Sequence, residues 1–375
     1  MTRSPSIRAA GVASVALVAA LASCRDGTGS AQAAEEWRTA LPSGFFHWSG
    51  KPAVSRGRVF VEADGDLVAL DARTGAVRWR RRVGWKDAAF ATNIVVHDGT
   101  VFVADSTNLF ALDEASGDVR WQLETGEAHG CEAVADDSTL FTGTRDRVVL
   151  ALRQRDGAAR WTRDLFPDRS FPGPVQGIAR VGDTLYVAAT RFEDRNGVQR
   201  TGVVVALDRR DGRELWRWTS EAGQGDFNSA PTVAGRLLLL GDRETGDFLA
   251  IDRFTGRREW RAPTRPGYIG PNVAPIVVNG IAYAAGGDGY VYALRLERGE
   301  EVWRTWTDAT NTHIAVCAGR LLVQGDGVSV IDPSTGAIAS VLFADEIDFT
   351  TAGFAIDGGR AFTAGPLAAY AFHCR

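Results

Sequence analysis

Residues that could do chemistry are sparse in this chain, and few stand together. His129-Gly130-Cys131 sets an imidazole and a thiol two positions apart, as in part of a metal site, but no second pair accompanies it. Asp64-Gly65-Asp66 and Asp326-Gly327 offer carboxylates of the kind that bind calcium, without the twelve-residue spacing of a calcium loop. Turn chemistry explains them better. The stretch ALDARTGAVRW, Ala69 to Trp79, gathers a carboxylate (Asp71), a hydroxyl (Thr74) and an indole (Trp79) around Gly75. No G-x-S-x-G, H-E-x-x-H, C-x-x-C or phosphate-binding loop occurs. The sequence therefore assigns no catalytic residue, metal ligand or cofactor.

The Asp–Gly–Trp stretch repeats. Gly75/Trp79 returns as Gly117/Trp121, Gly157/Trp161, Gly212/Trp216, Gly256/Trp260 and Gly299/Trp303, and a seventh copy has Gly336 with Ser340 in place of Trp. The glycines fall 37 to 55 residues apart, a period of propellers and solenoids. Each unit divides into four short apolar or alternating segments joined by turns, as in IVVHDGTVFVADSTNLFALDEASGDVRWQLE, residues 94–124. Four strands in ~40–45 residues make a propeller blade. The Asp accepts hydrogen bonds from turn amides, and the Gly supplies the left-handed conformation that a tight turn needs. Small residues such as Ala69 and Ala111 leave room for a neighbour, and the Trp is a large flat wedge between blades. An active site does not need the same residues six times around a ring. The stretch is structural, and the expected docking tryptophans are Trp37, Trp79, Trp121, Trp161, Trp216, Trp260 and Trp303.

The chain has 375 residues, 45% of them hydrophobic, with a net charge of −4. That balance gives no sign of a nucleic-acid partner. Lys occurs only at Lys51 and Lys86. At the N-terminus, Arg3 and Arg8 precede a small apolar stretch, Gly11 to Ala22, too short to span a membrane and suited to a secretory signal. It ends in Leu21-Ala22-Ser23-Cys24, which resembles the lipobox of bacterial lipoproteins. The resemblance implies a signal peptide at residues 1–23, lipidated Cys24 as the first mature residue and a flexible tether at 24–34. Cleavage after Ala31-Gln32-Ala33 is the alternative. Arg25 differs from the Asp that retains such proteins at an inner membrane, so an outer-membrane anchor facing the periplasm follows if the envelope has two membranes.

Ala-x-Asp-x-x-Thr-Gly-x-x-x-Trp, repeated from Glu35 to Cys374, resembles the tryptophan-docking motif of the pyrroloquinoline-quinone-type propellers. The resemblance implies an all-β fold of eight four-stranded antiparallel blades over residues 35–374. Residues 351–372 read as three strands, and EEWRTAL at 35–41 reads as their missing fourth. Joining the two closes the ring and hides strand edges; the alternative is seven blades with a loose N-terminal segment. One branch of this superfamily comprises quinone-dependent alcohol dehydrogenases, which use calcium and a disulfide between adjacent cysteines. The other comprises non-enzymatic lipoprotein propellers of the outer-membrane protein assembly factor B type. This chain has no adjacent cysteines and matches the second branch in length and anchor. The resemblance thus implies a non-enzymatic, monomeric scaffold, held to the membrane by lipid and bound to another envelope protein. A quinone-dependent enzyme and a carbohydrate- or polymer-binding propeller are the alternatives.

The loops between blades differ from one another, whereas the first-to-second-strand turns are tight. Those loops hold Trp48, Trp85, Phe171, Phe227, Asn228, Tyr268, Trp306 and Asn311, the expected partner-binding residues. Loop aromatics also plug rings where blades meet, so each residue has two readings. Cys317 and Cys374 close strands that share a face. An inner and a third strand need not approach each other, so their pairing stays open.

Overall fold

The computed structural model describes residues 35–41, 51–84, 93–105, 107–125, 131–167, 171, 173–194, 196–222, 225–264, 273–307, 313–325, 327–343, 353–365 and 367–374. Among them every regular element is a β-strand. The strands form eight four-stranded antiparallel sheets. Blades 1 to 7 span residues 53–82, 95–124, 134–164, 175–219, 232–263, 276–306 and 314–342, and each runs in chain order from its inner to its outer strand. Blade 8 takes three strands from residues 355–373 and its outer strand from Glu35–Ala40. There Trp37 pairs with Ala371 and Ala40 with Ala368. The ring therefore has eight blades, and the N-terminal strand closes it.

The core lies between blades. Each of eight apolar clusters is shared by two neighbours, and the last returns from blade 8 to blade 1. Phe60, Leu67 and Ala69 of blade 1, for example, meet Val101, Val103 and Phe110 of blade 2. Second and third strands are buried along most of their length, while outer strands such as Val77–Arg82 are largely exposed. Charged side chains fill those exposed edges and discourage pairing with a foreign strand.

The small alanines have a defined job. Ala69, Ala111, Ala151, Ala206, Ala250, Ala293 and Ala371 lie directly opposite Trp79, Trp121, Trp161, Trp216, Trp260, Trp303 and Trp37. In blade 7 both partners change together, and Val330 faces Ser340. A bulge beside each of these pairs shifts the register by one residue, which bends the outer strand. Cys317 and Cys374 are bonded, with Cα atoms 5.6 Å apart. The end of an inner strand does reach the end of the next blade's third strand.

Candidate partner-binding face

One face of the ring carries the repeated motif. Asp71 accepts hydrogen bonds from the N–H groups of Arg73 and Thr74, at 3.1 and 2.9 Å, and from the Thr74 hydroxyl. Arg78 sits on its other oxygen, and the guanidinium holds the carboxyl well below the usual range. Asp113 repeats the arrangement with Arg120, which pulls its pKa down to about 2. At Asp252, burial works against ionisation, but Arg236 and the turn amides outweigh it and the pKa is again about 2. These carboxylates cap turns and are spent on local donors.

Each indole leaves its own blade. Trp79 donates its Nε1–H to the Glu114 carbonyl of blade 2 at 3.1 Å, and Trp121 donates to Gln154 of blade 3 at 2.6 Å. Trp161, Trp216, Trp260 and Trp303 do the same to Arg209, Arg253, Leu296 and Pro333, while Trp37 donates from blade 8 to Ala72 of blade 1. The ring also lies flat on the next turn's glycine. A Cβ at Gly117 would stand 2.6 Å from Trp79. The motif read from the sequence is therefore an inter-blade dock, and all seven expected tryptophans occupy it.

The opposite face carries the inter-blade loops and the second-to-third-strand turns. Trp48, Trp85, Tyr268 and Asn311 lie outside the described residues, as does Cys24. Phe171 is half-buried and Asn228 is exposed. Trp306 is 52% exposed and stands edge-on to Tyr290, with ring centroids 5.2 Å apart. Gly289 lies beneath it, where any Cβ would meet the indole at 2.5 Å, and the Arg304 guanidinium covers Tyr290. This aromatic is exposed yet held in place.

Phe227 requires a correction. It is 1% exposed and packs between blades 4 and 5 with Tyr186, Val204 and Leu240, so it is a plug and not a surface anchor. Its ring rests on Gly202, and its N–H reaches the Thr190 hydroxyl. Burying it fixes its neighbours. Asp226 takes Thr190 at 2.9 Å and Arg200 at 2.6 Å, which ties the loop to the long hairpin of blade 4. That hairpin joins Thr184–Phe192 to Arg200–Asp208, and Val198 near its tip is exposed. Asn228 is displayed from this rigid base.

The sequence also matches, over residues 28–144, 111–200 and 145–346, the family described as outer membrane protein assembly factor BamB. The chain belongs to the BamB family. No curated protein matches it by sequence. Among solved structures it resembles BamB from Moraxella catarrhalis, at 16% identity and a TM-score of 0.70, over 91% of this chain and 99% of that one. It resembles quinohemoprotein alcohol dehydrogenase from Comamonas testosteroni at 15% identity and 0.70, over 92% and 76%. A computationally designed protein, Ika8, gives 14% and 0.68, over 89% and 99%. At these identities the likeness is one of fold.

This BamB-family propeller does not offer the cysteine pair associated with quinone binding. Its described cysteines are one disulfide spanning 57 residues and one buried thiol, Cys131, which burial holds protonated. Among the described residues no group of three or more His, Cys, Asp or Glu side chains gathers as a metal site. Sequence reasoning missed the polar residues that enter the inner strands. Lys51, Asn93, Glu132 and His313 hold one register position in blades 1, 2, 3 and 7, and Gly177 and Ala230 hold it in blades 4 and 5. Glu132 passes the bare Gly177 to accept the Ala230 N–H at 2.7 Å. Burial raises its pKa against the pull of that N–H and of Lys51. Burial, helped by Lys51, lowers His313 to about 4. Register was the available signal, but it is visible only once the blades are superposed.

Proposed function

We propose that the protein is a non-enzymatic scaffold of the cell envelope, tethered by lipid on Cys24, whose inter-blade-loop face binds another envelope protein. The observation that carries this reading is Trp306, an aromatic left half in solvent on the variable face yet braced by Tyr290 and Gly289. Interfaces draw most of their energy from such pre-positioned aromatics. Asn228, displayed from a pinned loop, supplies an adaptable polar neighbour. Membership of a family described by an assembly factor supports a protein partner, and the disulfide supports an oxidising compartment. The repeated turns of the other face are occupied by docks, so little of their chemistry is free for a ligand.

The test places a photo-crosslinking residue at Asn228, at Trp306 or at Phe254, which is 63% exposed on the opposite face. Adducts from the first two positions in native envelopes, with none from Phe254, are expected. Trp306→Ala, after melting like the parent, should weaken capture of the same partner by about thirtyfold, the equivalent of ~2 kcal/mol. Adducts from Phe254 alone would put the interface on the wrong face. Dye reduction after reconstitution with pyrroloquinoline quinone and calcium would replace the scaffold reading with the enzymatic one.

A further inference from the structure

Among the described residues, seven blade junctions have an indole dock, and the junction between blades 7 and 8 has none. Ser340 stands where the indole belongs. No turn waits to receive one either, because the outer strand of blade 8 comes from the N-terminal segment. The acceptor position is nonetheless present. Ala72, Glu114 and Arg253 each take an indole on their carbonyl and return their own N–H to the first-to-second-strand turn, on Gly57, Gly99 and Arg236. Cys374 returns its N–H to Gly359 in the same way. It is the acceptor residue of blade 8, and among the described residues no indole reaches it.

Its bonded partner, Cys317, ends the inner strand of blade 7. The corresponding two positions meet at other junctions as well. Asp136 pairs with Arg209 at 2.5 Å between blades 3 and 4, His97 meets Gln154 at 3.4 Å between blades 2 and 3, and Ala234 shares an apolar cluster with Leu296 between blades 5 and 6. This contact is ionic, polar or apolar where an indole supports it, and covalent where none does.

We propose that Cys317–Cys374 is the lock of the ring, a redox-controlled site that stands in for the missing dock, and that the seam between blades 7 and 8 is where the propeller opens when the bond is reduced. Closing it forms one S–S bond. The two thiols give up two protons and two electrons to a protein disulfide, which leaves as a dithiol. Opening reverses the exchange, with a dithiol as reductant. Both cysteines are nearly inaccessible, 2% and 3% exposed, so a thiolate reaches the bond during a brief local opening, which reduction then allows to spread along the seam. Opening uncovers the apolar faces around Leu322, Val328, Tyr370 and Phe372.

The experiment treats the folded full chain with dithiothreitol and follows mass, melting and amide exchange. Intact protein should weigh two hydrogens less than the fully reduced form. Reduction should lower the melting midpoint by about 5 °C and speed exchange in 314–342 and 355–373 while 95–124 and 134–164 keep their protection. Substituting Cys317→Ala with Cys374→Leu, which copies the Ala234–Leu296 pair, should give a folded ring whose melting ignores dithiothreitol. Unchanged exchange at the seam after complete reduction would overturn the proposal, as would faster exchange spread evenly over all eight blades. Free thiols at both positions in protein isolated from its native envelope would overturn it as well.

Discussion

The dock between Trp79 and Gly117 can be weighed by placing one methyl group in two turns. Gly57 and Gly117 share a left-handed backbone, both at φ +73°. A Cβ at Gly57 meets nothing within 4 Å, whereas one at Gly117 stands 2.6 Å from the Trp79 ring. Gly57→Ala therefore costs only the left-handed conformation, about 1–2 kcal/mol. Gly117→Ala costs that and displaces an indole packed flat on the turn, adding about 1–3 kcal/mol of overpacking. Removing the ring first should cancel the added term. In a Trp79→Ala background, Gly117→Ala should fall back to the Gly57→Ala value, leaving a coupling of about 1–3 kcal/mol between the two sites. Urea unfolding of the parent, the three single variants and the double variant, with slopes compared, measures each step. Equal costs for Gly57→Ala and Gly117→Ala would refute the dock as an energetic contact and reduce the repeated glycine to a turn residue.

Trp260→Ala should cost about 3–5 kcal/mol, because this indole is almost fully buried and its N–H is bonded to Leu296; unfolding measurements check it, and parental stability would contradict it. His313 has a folded pKa of about 4, below its ordinary 6.5, so the unfolded chain binds more protons between those values and stability falls as pH drops through that window. The loss should reach about 2–3 kcal/mol after allowing for partial exposure of the ring, and the pH–stability curve of His313→Gln should flatten there. Deleting residues 35–41 should strip the outer strand from blade 8 and remove Trp37, giving aggregation or a loss of several kcal/mol, read by light scattering and melting. Mass spectrometry of native protein should find diacylglycerol on Cys24; a free N-terminus at Ala34 would contradict the lipidation.

Much of the ring was legible because its parts repeat. The spacing of Gly and Trp located the blades, and the unmatched EEWRTAL segment correctly supplied the strand that closes blade 8. The third-strand alanines were legible as small, though not as the residues facing each indole. What depends on contact between blades was harder to see. Cys317 and Cys374 are 57 residues apart, and nothing along the strand says that an inner strand ends beside the next blade's third strand. Phe227 misled for a related reason: an aromatic in a variable loop reads the same whether it faces solvent or fills the gap over Gly202. Glu132 and His313 occupy one structural position in different blades, but their side chains share no chemistry, so no pattern in the sequence marked them.

The pairing of Glu35–Ala40 with Ala368–His373 also sets an order of events in biosynthesis. The first strand of the ring cannot find its partner until the last one has been made. At typical synthesis rates of roughly 5–20 residues per second, more than 300 residues separate the two by about 15–70 s. Blades 1 to 7 can form as they emerge, each from neighbouring stretches of chain, while blade 8 must wait. Through that interval Trp37 has no strand to fix it over Gly75, and the apolar flank of blade 1 that will meet blade 8 stays uncovered. The unfinished propeller is thus an open arc with two sticky ends. A chaperone that recognises this protein would be expected to hold those flanks, and to let go once the two ends of the chain have met.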